Sequence, residues 1–342
     1  MNYSDYRKRE LEISKQLNKY VLDFCNENPE YQKVGEIYSS KEIHLNGIQF
    51  VAGFEASKRA EFSWKEYIAV PIIIELIMIW AYKTNQIIDH KKNIWNSNEK
   101  IISNVLDHDV ILSCILSLIE DLKPRLKNKH NVISTYLFSL LKDLPLGFLL
   151  EKQSLNINSS NLAKIIENWE QNYITRNIKF NSLYDFAPMI GYHISSGIDV
   201  IPEYKNNISD SKKFSHIGQI INDLSDCIPQ NDSFEKSYQD QYADIRNGII
   251  TYPVFQLLEL QSTKDALRDK KVSLDRDWQK EYFNNLIEKN IVKDIKDMAK
   301  ESYDIHIDFW RSILGDENDF LNRTYGLLLD NKYFKQTHVP SF

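Results

Sequence analysis

Glycine and proline end helices more readily than other residues, and this chain of 342 residues has only ten of the first and nine of the second. Between them run long stretches of helical periodicity. Alternating apolar segments bounded by Asn-Gly or Asp-Gly turns, the signature of strands, are hard to find. The pattern predicts helices over 3–27, 66–92, 108–123, 130–150, 160–180, 183–198, 211–227 and 252–262, two more within 276–313, and a last one over 317–332. The polar stretches "SLNINSSN", "PEYKNNISDS" and "PQNDSFEKSYQDQ" read as loops. No repeat of fixed period and no linker interrupts this pattern. The expectation is an all-α chain, one domain over 1–342 built as a bundle of roughly ten or more helices.

Composition narrows the function classes. Hydrophobic residues make up 42% and charged residues 26%, an ordinary globular balance. A net charge of −6 argues against general nucleic-acid binding, which needs a basic face. Three cysteines, Cys25, Cys114 and Cys227, form no CxxC pair and suggest neither a disulfide framework nor a structural zinc, so a reducing cytoplasm is expected. The charged start "MNYSDYRKRELEISKQL" does not read as a signal peptide. The most apolar run, Val70 to Trp80, is broken by Glu75 and is shorter than the roughly 20 residues a bilayer requires, so no transmembrane segment is expected.

Two polar clusters end apolar helices. In "AYKTNQIIDHKK", Asn85 and Asp89 stand four residues apart on one helical face, with Gln86 beside them and Met78, Ile79, Trp80 and Tyr82 ahead as a pocket wall. In "GQIINDLSDCIP", Asn222, Asp223 and Asp226 repeat that spacing, with Gln219 one turn earlier. Alone, the first cluster also reads as a helix end reaching water, and the second as an N-cap or exposed acidic turn. Together, as oxygen-only ligand sets, they suit Mg²⁺ and a diphosphate. His193 and His216 read as satisfied core residues, Cys227 as a packed thiol, and His90 as an exposed histidine.

These stretches resemble the trans-isoprenyl diphosphate synthases, the polyprenyl synthetase family. "IELIMIWAYKTNQIID" is similar to the family's "IELIHTASLIHDDIID", "GQIINDLSD" to "FQIRDDLLD", "DIRNGIITYP" to "DLREGKPTLP", and "KFNSLY" to "KTGSLF". The four landmarks occur in the family's order and anchor residues 45 to 260. The resemblance implies the isoprenoid synthase fold, an all-α bundle around an apolar cavity, with two DDxxD motifs on facing helices, Mg²⁺ between them and a homodimeric assembly.

On that resemblance Asp89, Asp223 and Asp226 are the expected catalytic carboxylates. Asp89, Asn222, Asp223 and Asp226 are the expected metal ligands. Lys179, Gln219, Asn85, Gln86, Trp80 and Tyr82 are expected against the allylic isoprenoid diphosphate. The departures have a direction. Asn85, Gln86 and Asn222 stand where the family has aspartates. Arginines that follow its first motif are absent, with Lys91 and Lys92 nearby. "LNGIQFV" (45–51) replaces the cationic "GGKRxRP" that holds isopentenyl diphosphate (IPP), and Ile249 replaces a lysine. The expected reaction is therefore ionisation of one allylic diphosphate, of terpene-synthase type or with transfer to an acceptor other than IPP. Trp80, near the cavity floor, points to a short C10–C15 chain. The alternatives are a divergent chain-elongating synthase and a non-catalytic subunit of one.

Overall fold

The computed structural model describes residues 3–57, 63–88, 98–126, 129–157, 162–228, 242–269 and 271–315. Its α-helices are α1 (Tyr3–Glu27), α2 (Gln32–Ser39), α3 (Leu45–Ala56), α4 (Ala69–Ile88), α5 (Asn98–Asp121), α6 (Lys123–Leu126), α7 (His130–Leu150), α8 (Leu162–Glu167), α9 (Trp169–Ser196) and α10 (Ile201–Asn207). They continue with α11 (Phe214–Ser225), α12 (Ala243–Arg246), α13 (Tyr252–Gln256), α14 (Gln261–Arg268), α15 (Arg276–Glu288) and α16 (Ile291–Leu314). Among the described residues there is no strand, only an isolated antiparallel bridge between Asn156 and Ile249. The all-α expectation holds.

Several local expectations need correction. The helices expected over 160–180 and 183–198 are a short α8 and one unbroken α9, because "NSLYD" carries no helix breaker and α9 accommodates Pro188 in its interior. "PEYKNNISDS" is not a loop throughout: it holds all of α10 but Ile201, then two residues and the start of a 3₁₀ turn, Asp210–Lys212. The helix expected from 108 begins ten residues earlier, at Asn98. The helix expected over 252–262 is divided into α13 and the start of α14. The helix expected over 317–332 lies outside the described residues. Pro71 does sit in the first turn of α4, where its missing N–H costs nothing.

The chain forms two compact units. Among the described residues the first comprises those of Met1–Leu144 and Ser182–Asn206 with 313–315, and the second those of Pro145–Asn181 and Asn207–Ser312. Among the described residues the divisions fall within α7, α9, α10 and α16 rather than in linkers.

In the first unit residues 69–77 of α4 are buried on all sides, Ile72, Ile73, Ile74, Leu76 and Ile77 among them, and α4 packs against α3 and α5. Glu75 sits among them at 1% exposure. Its carboxylate accepts hydrogen bonds from the N–H groups of Asn46 (2.6 Å) and Gly47 (3.0 Å) at the start of α3, and Lys41 stands 3.8 Å away. Burial raises the Glu75 pKa, against Lys41 and the two N–H groups, which lower it. The acid that interrupts the apolar run is thus the N-terminal partner of the neighbouring helix.

Two segments in α5 to α6 and α7, Ile102–Leu126 and Asn131–Leu155, are long and apolar enough to cross a membrane by length and composition. Core helices of water-soluble bundles meet the same criterion when mostly buried; here 28% and 39% of the two most apolar windows is buried, with Ile111, Cys114, Ile115 and Leu118 of α5 among the buried residues of the first unit.

In the second unit a core of Trp169, Tyr173, Trp278, Tyr282, Leu257 and Ile295 is built around aromatic contacts. Trp169 stacks on Phe255 at 3.9 Å and donates from Nε1 to the Ile250 carbonyl at 2.7 Å. The start of α9 and all of α11 belong to this unit, and they carry its polar groups.

Candidate functional site

Most helix pairs meet through apolar side chains, but residues 173–181 of α9 and helix α11 meet through a polar seam. Tyr173, Asn177 and Asn181 are spaced by four on α9, so they lie on one face. On the antiparallel α11 they meet Asp223, His216 and Gln219. Tyr173 donates to Asp223 Oδ2 at 2.5 Å, the Asn177 amide lies 3.1 Å from His216 Nδ1, and Asn181 donates to Gln219 Oε1 at 2.9 Å and to the Ser215 carbonyl at 3.3 Å. Gln219 in turn donates to Asp223 Oδ1 at 2.6 Å. Burial pushes the His216 pKa down to about 4, so at pH 7 its neutral ring can accept from Asn177.

Arg176 completes this arrangement. It donates from Nε to Glu151 Oε2 at 2.9 Å and from Nη2 to the same oxygen. Nη1 donates to Asn177 Oδ1 at 2.8 Å and lies 3.8 Å from Asp223 Oδ2. Glu151 is placed by a π turn, Glu151–Leu155, at the end of α7. Asp244 of α12 is near enough for its pKa to be pushed well above the usual carboxylate range, by burial first and then by Asp223, Asp226 and Glu151. Burial works against the charge of Arg176, and Glu151, Asp223 and Asp244 outweigh it, so the group keeps its proton.

Asp223 itself is raised from 3.8 to about 6, by burial, with Arg176, Tyr173 and Gln219 working the other way. A carboxyl with a raised folded-state pKa favours the fold while protonated, so its contribution is present below pH 3.8 and lost as pH rises through about 6. Urea titrations across that window should show wild type losing stability relative to Asp223→Asn, which stays neutral. Parallel pH curves would show that Asp223 is not held in this way.

No protein-family model matches the chain, and no curated protein matches it by sequence. Solved structures do. The geranylgeranyl pyrophosphate synthase of Lactobacillus brevis aligns with a TM-score of 0.68 at 13% identity, over 93% of this chain and 95% of that one. The decaprenyl diphosphate synthase of Rhodobacter capsulatus gives 0.67 at 12% identity, covering 98% and 99%. The geranylgeranyl pyrophosphate synthetase of Pyrococcus horikoshii gives 0.62 at 17% identity, covering 96% and 99%. The fold is that of the trans-isoprenyl diphosphate synthases.

Within this isoprenyl synthase fold, the expected site residues fall into distinct environments. Asp223 and Gln219 are together, but engaged with each other. Asp226 ends α11 half-buried, while Asn222 is exposed rather than beside Asp223. Lys179 is half-buried on α9, one turn beyond Arg176. Trp80 is buried and stacks on His108 at 5.0 Å. Tyr82 is 61% exposed and lines a shallow surface cleft with Lys33, Ser40 and Lys83, so it leaves the pocket wall expected of it. Asn85 and Gln86 belong to α4, and their side chains fall outside the described residues. Asp89, His90, Lys91 and Lys92 also lie outside them. His193, expected to be satisfied, is buried with neither ring nitrogen hydrogen-bonded. His216 and Cys227 are packed as expected.

Mg²⁺ takes oxygen ligands at about 2.1 Å in a near-octahedral shell that keeps several waters. The Asp223 side chain is 0% exposed, and both of its oxygens already accept hydrogen bonds. Among the described residues no three His, Cys, Asp or Glu side chains converge as a metal site. The donor set around Asp223 does not fit the ion.

Sequence reasoning missed Arg176, Glu151, Tyr173 and Asn177. The only signal was the four-residue spacing of Tyr173, Asn177 and Asn181. Asp244 lies inside the landmark "DIRNGIITYP", where its spacing alone does not distinguish it.

Proposed function

We propose that this protein binds one short allylic isoprenoid diphosphate, C10–C15, and ionises it, the carbocation then cyclising, losing a proton, meeting water or attacking an acceptor other than IPP. The observation that carries this reading is the hydrogen-bonded polar seam between α9 and α11, set in an isoprenyl synthase fold at the landmarks "KFNSLY" and "GQIINDLSD". A helix interface kept only for packing gains nothing from desolvating a carboxylate, a guanidinium and three amides. Lys179, beside this seam on α9, is the proposed contact to the diphosphate. Mg²⁺, which the resemblance implies, enters this proposal through Asp226 rather than Asp223; Asp89, the other expected ligand, lies outside the described residues.

Use of IPP is disfavoured by a separate observation. The turn where the IPP motif would fall has lost its cations, and the N–H groups of Asn46 and Gly47 are taken by Glu75. One observation favours a second reading, a non-catalytic subunit: the enclosed Asp223 has a structural use independent of any substrate. Product analysis separates these. The purified protein is incubated with C10, C15 or C20 allylic diphosphate and Mg²⁺, with and without IPP. Products without IPP support the proposal, products only with IPP indicate elongation, and no turnover under any condition indicates the subunit.

The chain-length preference rests on Trp80. Trp80→Ala should cost about 3 kcal/mol or more of stability and shift preference toward C20. An unchanged preference, measured by competition between C15 and C20 substrates, counts against this placement.

The proposed partner is a second copy. Ile102, Val105, Leu106 and Leu116 leave α5 with an apolar exposed stripe, of which Leu106 is 57% exposed. Light scattering should give about twice the 40.3 kDa chain mass for wild type and the single-chain mass for Leu106→Glu. A monomeric wild type sinks the assignment.

A further inference from the structure

Arg176 is buried to 4% side-chain exposure, and such a group survives in a protein interior only when its charge and its N–H groups are met. Here they are. Glu151 takes Nε and Nη2, Asn177 takes Nη1, and Asp223 stands 3.8 Å from Nη1. The guanidinium also lies over the Phe180 ring, 4.6 Å from its centroid. Phe180 is itself held close by Gly147, where an added Cβ would stand 2.7 Å from the ring. The partners come from three elements: the π turn after α7, α9 and α11. Their charges are carboxylate, guanidinium, carboxylate. Asp226 adds negative charge that raises Asp223, and Asp244 is raised by both. A divalent cation between two carboxylates would serve the same end. An arginine fork does so with fixed geometry and without coordination chemistry.

We infer that Arg176 is a built-in cation standing in place of a divalent metal at the second acidic cluster, its charge placed between Glu151 and an Asp223 whose two oxygens are engaged by Tyr173 and Gln219. Asp223 is then a positioning residue: it holds Gln219 and Tyr173, and through Gln219 it holds Asn181 at the edge of the seam. This deepens the diphosphate reading, but it concerns metal alone and does not depend on turnover.

The test uses the full chain, Mn²⁺ as the metal and inorganic pyrophosphate as the anion, with no allylic substrate. Loss of a true ligand or its support weakens metal binding by about tenfold or more. Calorimetric titration of wild type and Asp223→Asn should differ by less than that, and a difference as large would overturn the inference. A second arm uses Arg176→Gln, which removes the built-in charge. Its melting temperature should rise by about 2 °C or more beyond the rise seen for wild type as Mn²⁺ is brought to a hundredfold excess over the variant's dissociation constant. A variant that responds no more than wild type would show that Arg176 does not stand in for a metal. Either arm decides the matter if the other variant fails to fold, and neither outcome bears on whether an allylic diphosphate is turned over.

Discussion

Gly53→Ala and Gly191→Ala will each cost about 3 kcal/mol or more of stability, large for the addition of one methyl group. A Cβ built on Gly53 would stand 1.9 Å from the carbonyl oxygen of Pro188 and 2.6 Å from its carbon. One built on Gly191 would stand 2.1 Å from the carbonyl oxygen of Phe50. The opposing atoms are backbone, so no rotamer change relieves the clash, and α3 and α9 must separate along their contact. Both substitutions act on one contact, so the double variant should lose less than the sum of the two. Gly218→Ala is the control, because nothing lies within 4 Å of its added Cβ. In mid-helix α11 that change should be neutral or stabilising by up to about 1 kcal/mol. Urea unfolding of the four variants checks the set. A Gly53→Ala protein as stable as wild type would mean that α3 and α9 do not approach in this way.

Arg176→Met will be comparably damaging for a different reason. Removing one partner of a buried pair leaves charge without compensation, at a cost of about 3–5 kcal/mol. Here Glu151 loses its paired guanidinium contacts and Asp223 its nearest cation. The cost should lie in the stranded charges rather than in the lost volume. Adding Glu151→Gln and Asp223→Asn to Arg176→Met should therefore recover most of the loss, although each addition removes a further native interaction. If the triple variant is no more stable than Arg176→Met alone, packing of the side chain against Phe180 explains the effect instead.

The fold was legible because its evidence is local. Scarce glycine and proline, four landmarks in order and long periodic runs suffice to specify an all-α chain, and the solved structures share that architecture over more than nine-tenths of its length. Helix boundaries were less legible. The break expected in α9 falls at Asn181-Ser182, yet neither residue interrupts a helix that runs from Trp169 to Ser196. The site was readable in its landmarks and unreadable in its chemistry. Asp223 looks like a ligand because its neighbours in sequence are acids and amides. What surrounds it in space are Tyr173, Gln219 and Arg176, which are 50, 4 and 47 residues away in the chain. Burial decides between ligand and structural carboxylate, and the spacing of residues on one helix carries no information about burial by another. Glu75 gives the converse case. It looks like an interruption of an apolar run, and its partners are two N–H groups of α3 nearly thirty residues earlier.

The most direct test of the proposed activity is release of pyrophosphate from a C15 allylic diphosphate when the protein is supplied with Mg²⁺ and no IPP. The account predicts catalytic release, with Lys179→Ala reducing it by about tenfold or more through loss of a charge-assisted contact. No release from the C10 or C15 diphosphate without IPP would contradict it.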